Sequence, residues 1–232
     1  MESFHNKLGF STNPFAFTNA DEEELLSDYF VPPPFFDAVV GDINSPNSTV
    51  VLAPRGGGKS AQRRMMEIWS QDHPVLAVTY DRFEFGVGQK ITDIGLPYHI
   101  RNIITRILLT LLTVCSDKPE VLKSLEANKK KNLSILCHNY LGKMTGQSVS
   151  EAMASIKSIP ERIKEFWSKN VGFLEPVINI ILKHFDIESI DLPELKQEEK
   201  KLESTYKYQL ELIREIVNDL GYKAIYHISG QS

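Results

Sequence analysis

The chain has little cysteine, two residues in 232, and Cys115 and Cys137 share no spacing that would hold a metal. That excludes a disulfide-stapled secreted module. It points to reduced, buried thiols in a cytoplasmic protein. There is no excess of positive charge either. Lys and Arg number 26 against 30 Asp and Glu, the net charge is -4, and the pI is about 5.9. A wholly basic nucleic-acid-binding module is therefore disfavoured, and nucleic acid stays a partner that net charge does not support. No apolar run approaches the 18 or so residues of a membrane span, because Arg106 interrupts the longest, "IITRILLTLLTVC". The opening "MESFHNKLGF" lacks a basic region followed by an apolar stretch, so no secretory leader and no membrane partner are expected. The six histidines are scattered without metal spacing, and no Ser/His/Asp or Cys/His arrangement is visible.

What remains is an ordinary globular composition, 42% hydrophobic and 24% charged. A length of 232 residues suits one large domain, or one with an insertion. Residues 1–48 read as an arm rich in Pro, Asn, Asp and Phe. Pro32 to Pro34 forbid a helix interior there, a short helix is expected from Pro34 to about Gly41, and "SPNS" is a turn signal. Residues 49–96 read as strand, glycine loop, helix and strand. "TVVLA" is predicted as a strand buried on both faces, and "HPVLAVTY" as a second, so the two would form a parallel βαβ unit. Residues 97–220 carry helical periodicity and form an all-helical insertion of about 120 residues. In its last helix Leu202, Tyr206, Ile213, Ile216, Val217 and Leu220 trace one apolar face, and Gly221 is the stop. Residues 221–232 hold a third strand, "YKAIYHI".

The chemistry-bearing segment is "APRGGGKSA", from Ala53 to Ala61. It fits the phosphate-loop pattern G-x-x-x-x-G-K-S/T, with Ala53 in place of the first glycine. A triphosphate needs several backbone N–H groups aimed at one point, and glycine lets a loop curl that tightly. Gly56, Gly57 and Gly58 supply this between Pro54-Arg55 and the helix, whose N-terminus adds partial positive charge. Lys59 is placed to reach the β- and γ-phosphates, and the Ser60 hydroxyl to ligate Mg²⁺. No guanine-reading N-K-x-D motif is present in a suitable loop. Arg55 counts among the nucleotide-binding residues of the loop, with a solvated loop-tip arginine as the equal alternative, and Arg63 and Arg64 on the following helix receive no role.

"NPFAF", "DYFVPPPFF", "APRGGGKS", "AQRRMM" and "LAVTYDRFE", with "LGYKAIYHI" later, resemble bacterial P-loop ATPases of the origin-recognition-like AAA+ group, which sit near the STAND-type ATPases and often occur in mobile or defence loci. The likeness is good over Asn13 to Glu84, weak in the helical middle and resumed near the end. It implies an α/β fold with a three-layer parallel sheet of the P-loop NTPase type, here incomplete. The implied ligands are ATP and Mg²⁺, and the implied role is a nucleotide-dependent switch. By the same resemblance Asn13, Phe15, Phe30 and Val31 would lie near the adenine. The family's third strand ends in two acids, one on the Mg²⁺ shell and one polarising the attacking water. Here that place holds His227 to Gly230, which undermines hydrolysis far more than binding. In the family a fourth strand separates the loop strand from the acid strand, and a fifth flanks the loop strand. The expectation is therefore a fragment of a longer ATPase, or a chain that pairs its open sheet with a protein partner or with itself. Asp81, Glu84 and Asp93 read as solvated loop carboxylates. The rival readings are a non-catalytic interaction module and a decayed domain.

Overall fold

The computed structural model describes residues 7–9, 13, 20–23, 25–80, 94–117, 124–141 and 206–229. They divide between His73 and Pro74 into two compact units. The described residues form a mixed α/β structure with a two-stranded parallel sheet and several helices.

The first unit holds the arm and the glycine loop. A 3₁₀ turn over Ala20–Glu22 precedes helix α1 (Leu26–Tyr29) and helix α2 (Phe36–Val40). The prolines separate α1 from α2, as their missing N–H groups require. Phe30 and Phe36 meet edge to face with centroids 5.4 Å apart, and the Tyr29 hydroxyl donates to Glu23. The turn falls at Asp42–Ser45, upstream of "SPNS", because the Asp42 carboxylate accepts the Asn44 backbone N–H at 2.9 Å. Helix α3 (Lys59–Gln71) follows the loop and packs on the 3₁₀ turn and on α1. At its far end His73 stacks on Trp69 at 3.9 Å and donates from Nδ1 to the Trp69 carbonyl at 2.7 Å.

One expectation fails here. "TVVLA" forms no strand, and Val50 and Leu52 are 80% and 91% exposed. An extended segment becomes a strand only when neighbours take its N–H and C=O groups, and among the described residues nothing pairs with it. The expected βαβ unit is thus not formed.

The second unit holds the core. Strand β1 (Val75–Tyr80) pairs in parallel with strand β2 (Ala224–Ser229), in register from Val75 opposite Ala224 to Tyr80 opposite Ser229. Parallel neighbours so far apart in sequence need a long crossover, and helices supply the described parts of it. Helix α4 (Leu96–Asp117) packs on β1 and on helix α5 (Ala127–Leu141). Ile104, Leu108, Leu109, Leu111 and Leu112 are essentially inaccessible. Between them Thr105, Thr110 and Thr113 donate to the carbonyls four residues back at 2.8–2.9 Å, so each buried hydroxyl is satisfied. Arg106 is buried as well. Its guanidinium donates to the Thr79 carbonyl at 3.1 Å and lies over the Tyr80 ring at 5.4 Å, which ties α4 to the end of β1. The charge that interrupts the apolar run is thus part of the packing.

Helix α5 is buried continuously from Leu133 to Cys137, and burial pushes the Cys115 thiol up to about 12 and the Cys137 thiol higher still. Both cysteines are free and buried. Helix α6 (Tyr206–Asp219) buries Gln209, Leu212, Ile213, Ile216 and Val217. Tyr206 is exposed, so the buried face runs through Gln209 and Leu212 instead. Tyr140 donates to Gln209, and Lys129 pairs with Asp219, joining α5 to α6. Gly221 ends the segment at φ +92°, with Tyr222 N–H on the Val217 carbonyl and Gly221 N–H on that of Asn218. Residues 142–205, which carry Leu202 and most of the expected insertion, lie outside the described residues. Among the described residues no helix is long and apolar enough to cross a membrane.

Candidate functional site

The site is the loop from Ala53 to Ala61, and all of it lies in the first unit. Pro54 to Gly57 forms a turn closed by the Gly57 N–H on the Pro54 carbonyl at 3.0 Å. Gly56 occupies its third position at φ +80°, a conformation that disfavours any side chain. Gly57 is required for a different reason. A Cβ on it would stand 3.0 Å from both the Ala53 Cβ and the Pro54 oxygen. The loop closes on itself there, which is also why a small residue suits position 53. Gly58 is the left-handed residue before α3, at φ +75°, and its carbonyl accepts the Gln62 N–H at 2.9 Å. The chain thus turns from loop to helix within two residues, and the first N–H groups of α3 lack intrahelical partners, as at any helix start.

Lys59 bends back over this turn. Its Nζ donates to the Ala53 carbonyl at 2.7 Å and to the Pro54 carbonyl at 3.0 Å. The ammonium is therefore held inside the loop's curl, while Ser60 beside it is exposed and Ala61 half-buried. The expected set comes together as one local constellation: small residue, turn, left-handed glycines, lysine and serine. Arg55 is exposed at the loop tip.

Two features were less legible. Arg63 and Arg64 both bind Glu67, at 3.1 and 3.2 Å, one to each carboxylate oxygen, and Glu67 is buried. Their spacing of four and three residues was the available signal, since such pairs share a helix face. Gln62 is 6% exposed, and its Oε1 has no hydrogen-bond partner among the described residues. Nothing in sequence marks it.

The outlying candidates are not gathered at the loop by any described contact. Asn13 is exposed, Val31 is 84% exposed, and Phe30 engages Phe36. Phe15, Asp81, Glu84, Asp93 and Gly230 lie outside the described residues.

In the second unit the end of the parallel pair carries Tyr80, His99, Arg106 and His227. The Tyr80 hydroxyl and His99 Nδ1 are 3.0 Å apart, and the Tyr80 and His227 rings are 5.8 Å apart. Loss of solvation, and then the Arg106 charge, hold His227 below its ordinary 6.5, and because the residue still meets water the effect is a modest one. Because the folded state resists protonation, the unfolded chain takes the proton first as pH falls. This contribution to stability is present above about pH 6.5 and is lost as pH drops through 6.5 toward the folded value. The melting temperature of the wild type should therefore fall more than that of His227→Gln between pH 7.5 and 5.5, about a unit either side of the ordinary histidine value. Parallel profiles would show that His227 does not contribute.

Among the described residues no group of three or more His, Cys, Asp or Glu side chains could hold a metal. Comparison with protein-family profiles, with curated proteins and with solved structures finds no match to this chain.

Proposed function

We propose that the chain binds ATP with Mg²⁺ at the loop Ala53–Ala61, in the manner of a P-loop ATPase of the AAA+/STAND kind, and uses it as a conformational switch. The observation that carries this reading is the Lys59 ammonium bent over a turn built on Gly56, Gly57 and Gly58, at the start of a 13-residue helix. A phosphate chain seated there meets backbone N–H groups, the positive end of α3 and the Lys59 charge together. Phosphate oxygens are better partners for Nζ than neutral carbonyls, because charge-assisted bonds are roughly twice as strong. Ser60, exposed on the first turn, offers its hydroxyl to the metal. Bound Mg²⁺ supplies neutralisation of charge on the phosphate oxygens. In this reading the fold is the incomplete three-layer P-loop sheet with its helical insertion, working in the cytoplasm. Nucleic acid has no support from net charge.

Turnover needs a carboxylate to place the water and another on the metal shell. β2 ends Tyr226-His227-Ile228-Ser229 and offers neither. The reading is therefore binding without hydrolysis. A ligand at about 100 times its dissociation constant adds about 2.7 kcal/mol, roughly a 5–11 °C rise in melting temperature for a chain of this size. A thermal shift with Mg²⁺ and ATP, together with no phosphate release from the same sample, is the expected result. Steady release abolished by Lys59→Ala would show that acids elsewhere, such as Asp81 or Glu84, serve the reaction.

A second reading, an interaction module without catalysis, is favoured by one observation. Val50 and Leu52 project 80% and 91% exposed from an extended segment, open to strand pairing by a protein partner or a second copy. Loss of self-association in Val50→Lys/Leu52→Lys, measured by analytical ultracentrifugation, would support it.

A further inference from the structure

Between the Asp42–Ser45 turn and the glycine loop, Asn47 to Ala53 run without helix or ladder. Among the described residues no backbone hydrogen bond uses an N–H of this segment. The one described bond to its carbonyls comes from Lys59 Nζ, at Ala53. Ser48, Val50 and Leu52 are exposed, whereas Val51 and Ala53 are half-buried. Unpaired N–H and C=O groups beside exposed apolar β-formers are a template for another strand. The two ends of the segment decide which strand fits. Pro46 and Pro54 bracket it, and neither has an N–H to extend a ladder. No charged residue lies from Ile43 to Pro54, but Asp42 stands at one end and Arg55 at the other, both exposed. A second copy running in the opposite direction meets acid with base at both ends. A copy running in the same direction sets like charges side by side.

We propose that a second copy of this chain pairs antiparallel with Asn47–Ala53, about a two-fold axis at Val50. The proposal rests on the interaction-module reading and names the partner of that segment. The register follows from keeping the prolines of both copies outside the ladder. Val50 then lies opposite the partner's Val50, Ser48 opposite the partner's Leu52, and Asn47 opposite the partner's Ala53. Arg55 comes level with the partner's Ser45. In each copy Asp42 is bridged to Ser45, with the Ser45 N–H on the Asp42 carbonyl at 3.1 Å. The arginine of one copy thus faces the carboxylate of the other, and the two-fold repeats the contact.

Sedimentation of the full chain at about 100 µM, above the micromolar dissociation constants of weak interfaces, should give a dimer. Val50→Lys/Leu52→Lys should give a monomer, and Arg55→Glu should weaken the dimer roughly fivefold, less so in high salt. Circular dichroism checks that the variants keep the wild-type fold. Val50→Cys reads the register. Opposite residues of an antiparallel pair have α-carbons about 4.5 or 5.5 Å apart, and a disulfide spans both. Oxidation of Val50→Cys should therefore cross-link two copies. Leu52→Cys should not cross-link, because its own counterpart lies four residues along, about 13 Å away. Wild type should not either, since Cys115 and Cys137 are buried. A monomeric wild type overturns the proposal and leaves the interaction reading to a different protein. A dimer that withstands Val50→Lys/Leu52→Lys overturns the proposal and removes the observation behind that reading. A dimer lost in that variant, with no cross-link through Val50→Cys or with an equal one through Leu52→Cys, overturns the antiparallel pairing alone. Open-ended assembly in place of a dimer overturns the two-fold.

Discussion

Lys59→Ala lowers the affinity for ATP by about tenfold or more and leaves the fold intact. The Lys59 ammonium is the one side-chain charge in direct hydrogen-bond contact with the loop backbone among the described residues, through the Ala53 and Pro54 carbonyls at 2.7 and 3.0 Å. Hydrogen bonds to charged groups contribute roughly 1.5–3 kcal/mol each, so losing even one against phosphate accounts for a tenfold change. The fold should survive because the turn itself is closed by backbone, Gly57 N–H to the Pro54 carbonyl, and shaped by glycine conformation rather than by the lysine. Titration calorimetry with circular dichroism on the same preparations checks both halves. Wild-type affinity in a variant with a wild-type spectrum would remove the phosphate loop from the account.

Leu108→Ala, in the middle of α4, destabilises the second unit by about 2–5 kcal/mol. Leu108 is 0% exposed and sits in the cluster that joins α4, α5, α6 and the sheet. Removing its branched end opens a cavity inside a cluster of other fully buried side chains. Such walls relax only partly, which adds a cavity term to the lost transfer energy. Leu96→Ala on the same helix, at a position 71% exposed, should change stability by no more than about 0.5 kcal/mol. Urea unfolding of both variants makes the comparison. A Leu108→Ala cost under about 1 kcal/mol would mean that α4 is not the centre of this core.

Much of the local structure was legible because it depends on neighbours in sequence. The helix after the glycines, the stop at Gly221 and the strands near Val75 and Ala224 all appear within two residues of where the pattern places them. Each rests on a short-range cause: a left-handed glycine, a helical period or a run of apolar β-formers. Helix α5 is a partial case. The helical periodicity read across residues 97–220 does not mark its start, which falls at Ala127, and the helix is buried nearly all round in its middle. A one-sided pattern is a poor guide to such an element.

By itself the sequence determined the loop. Three glycines, a lysine and a serine prescribe a turn, left-handed φ values and a helix start, and residues within nine positions supply every contact involved. It also determined the helical and extended character of β1, α4, α6 and β2, through apolar periodicity. Only the tertiary structure decided which extended segments became strands. "TVVLA" is as apolar and β-branched as "VLAVTY", yet β1 found Ala224–Ser229 alongside it and the other segment found no ladder. Tertiary packing also decided that Arg106 belongs inside, where Thr79 and Tyr80 receive it, and that Gln62 is buried with its oxygen unanswered. The physical reason is shared. Strand pairing and the satisfaction of buried polar groups depend on partners far away in the chain, and no window of sequence contains them.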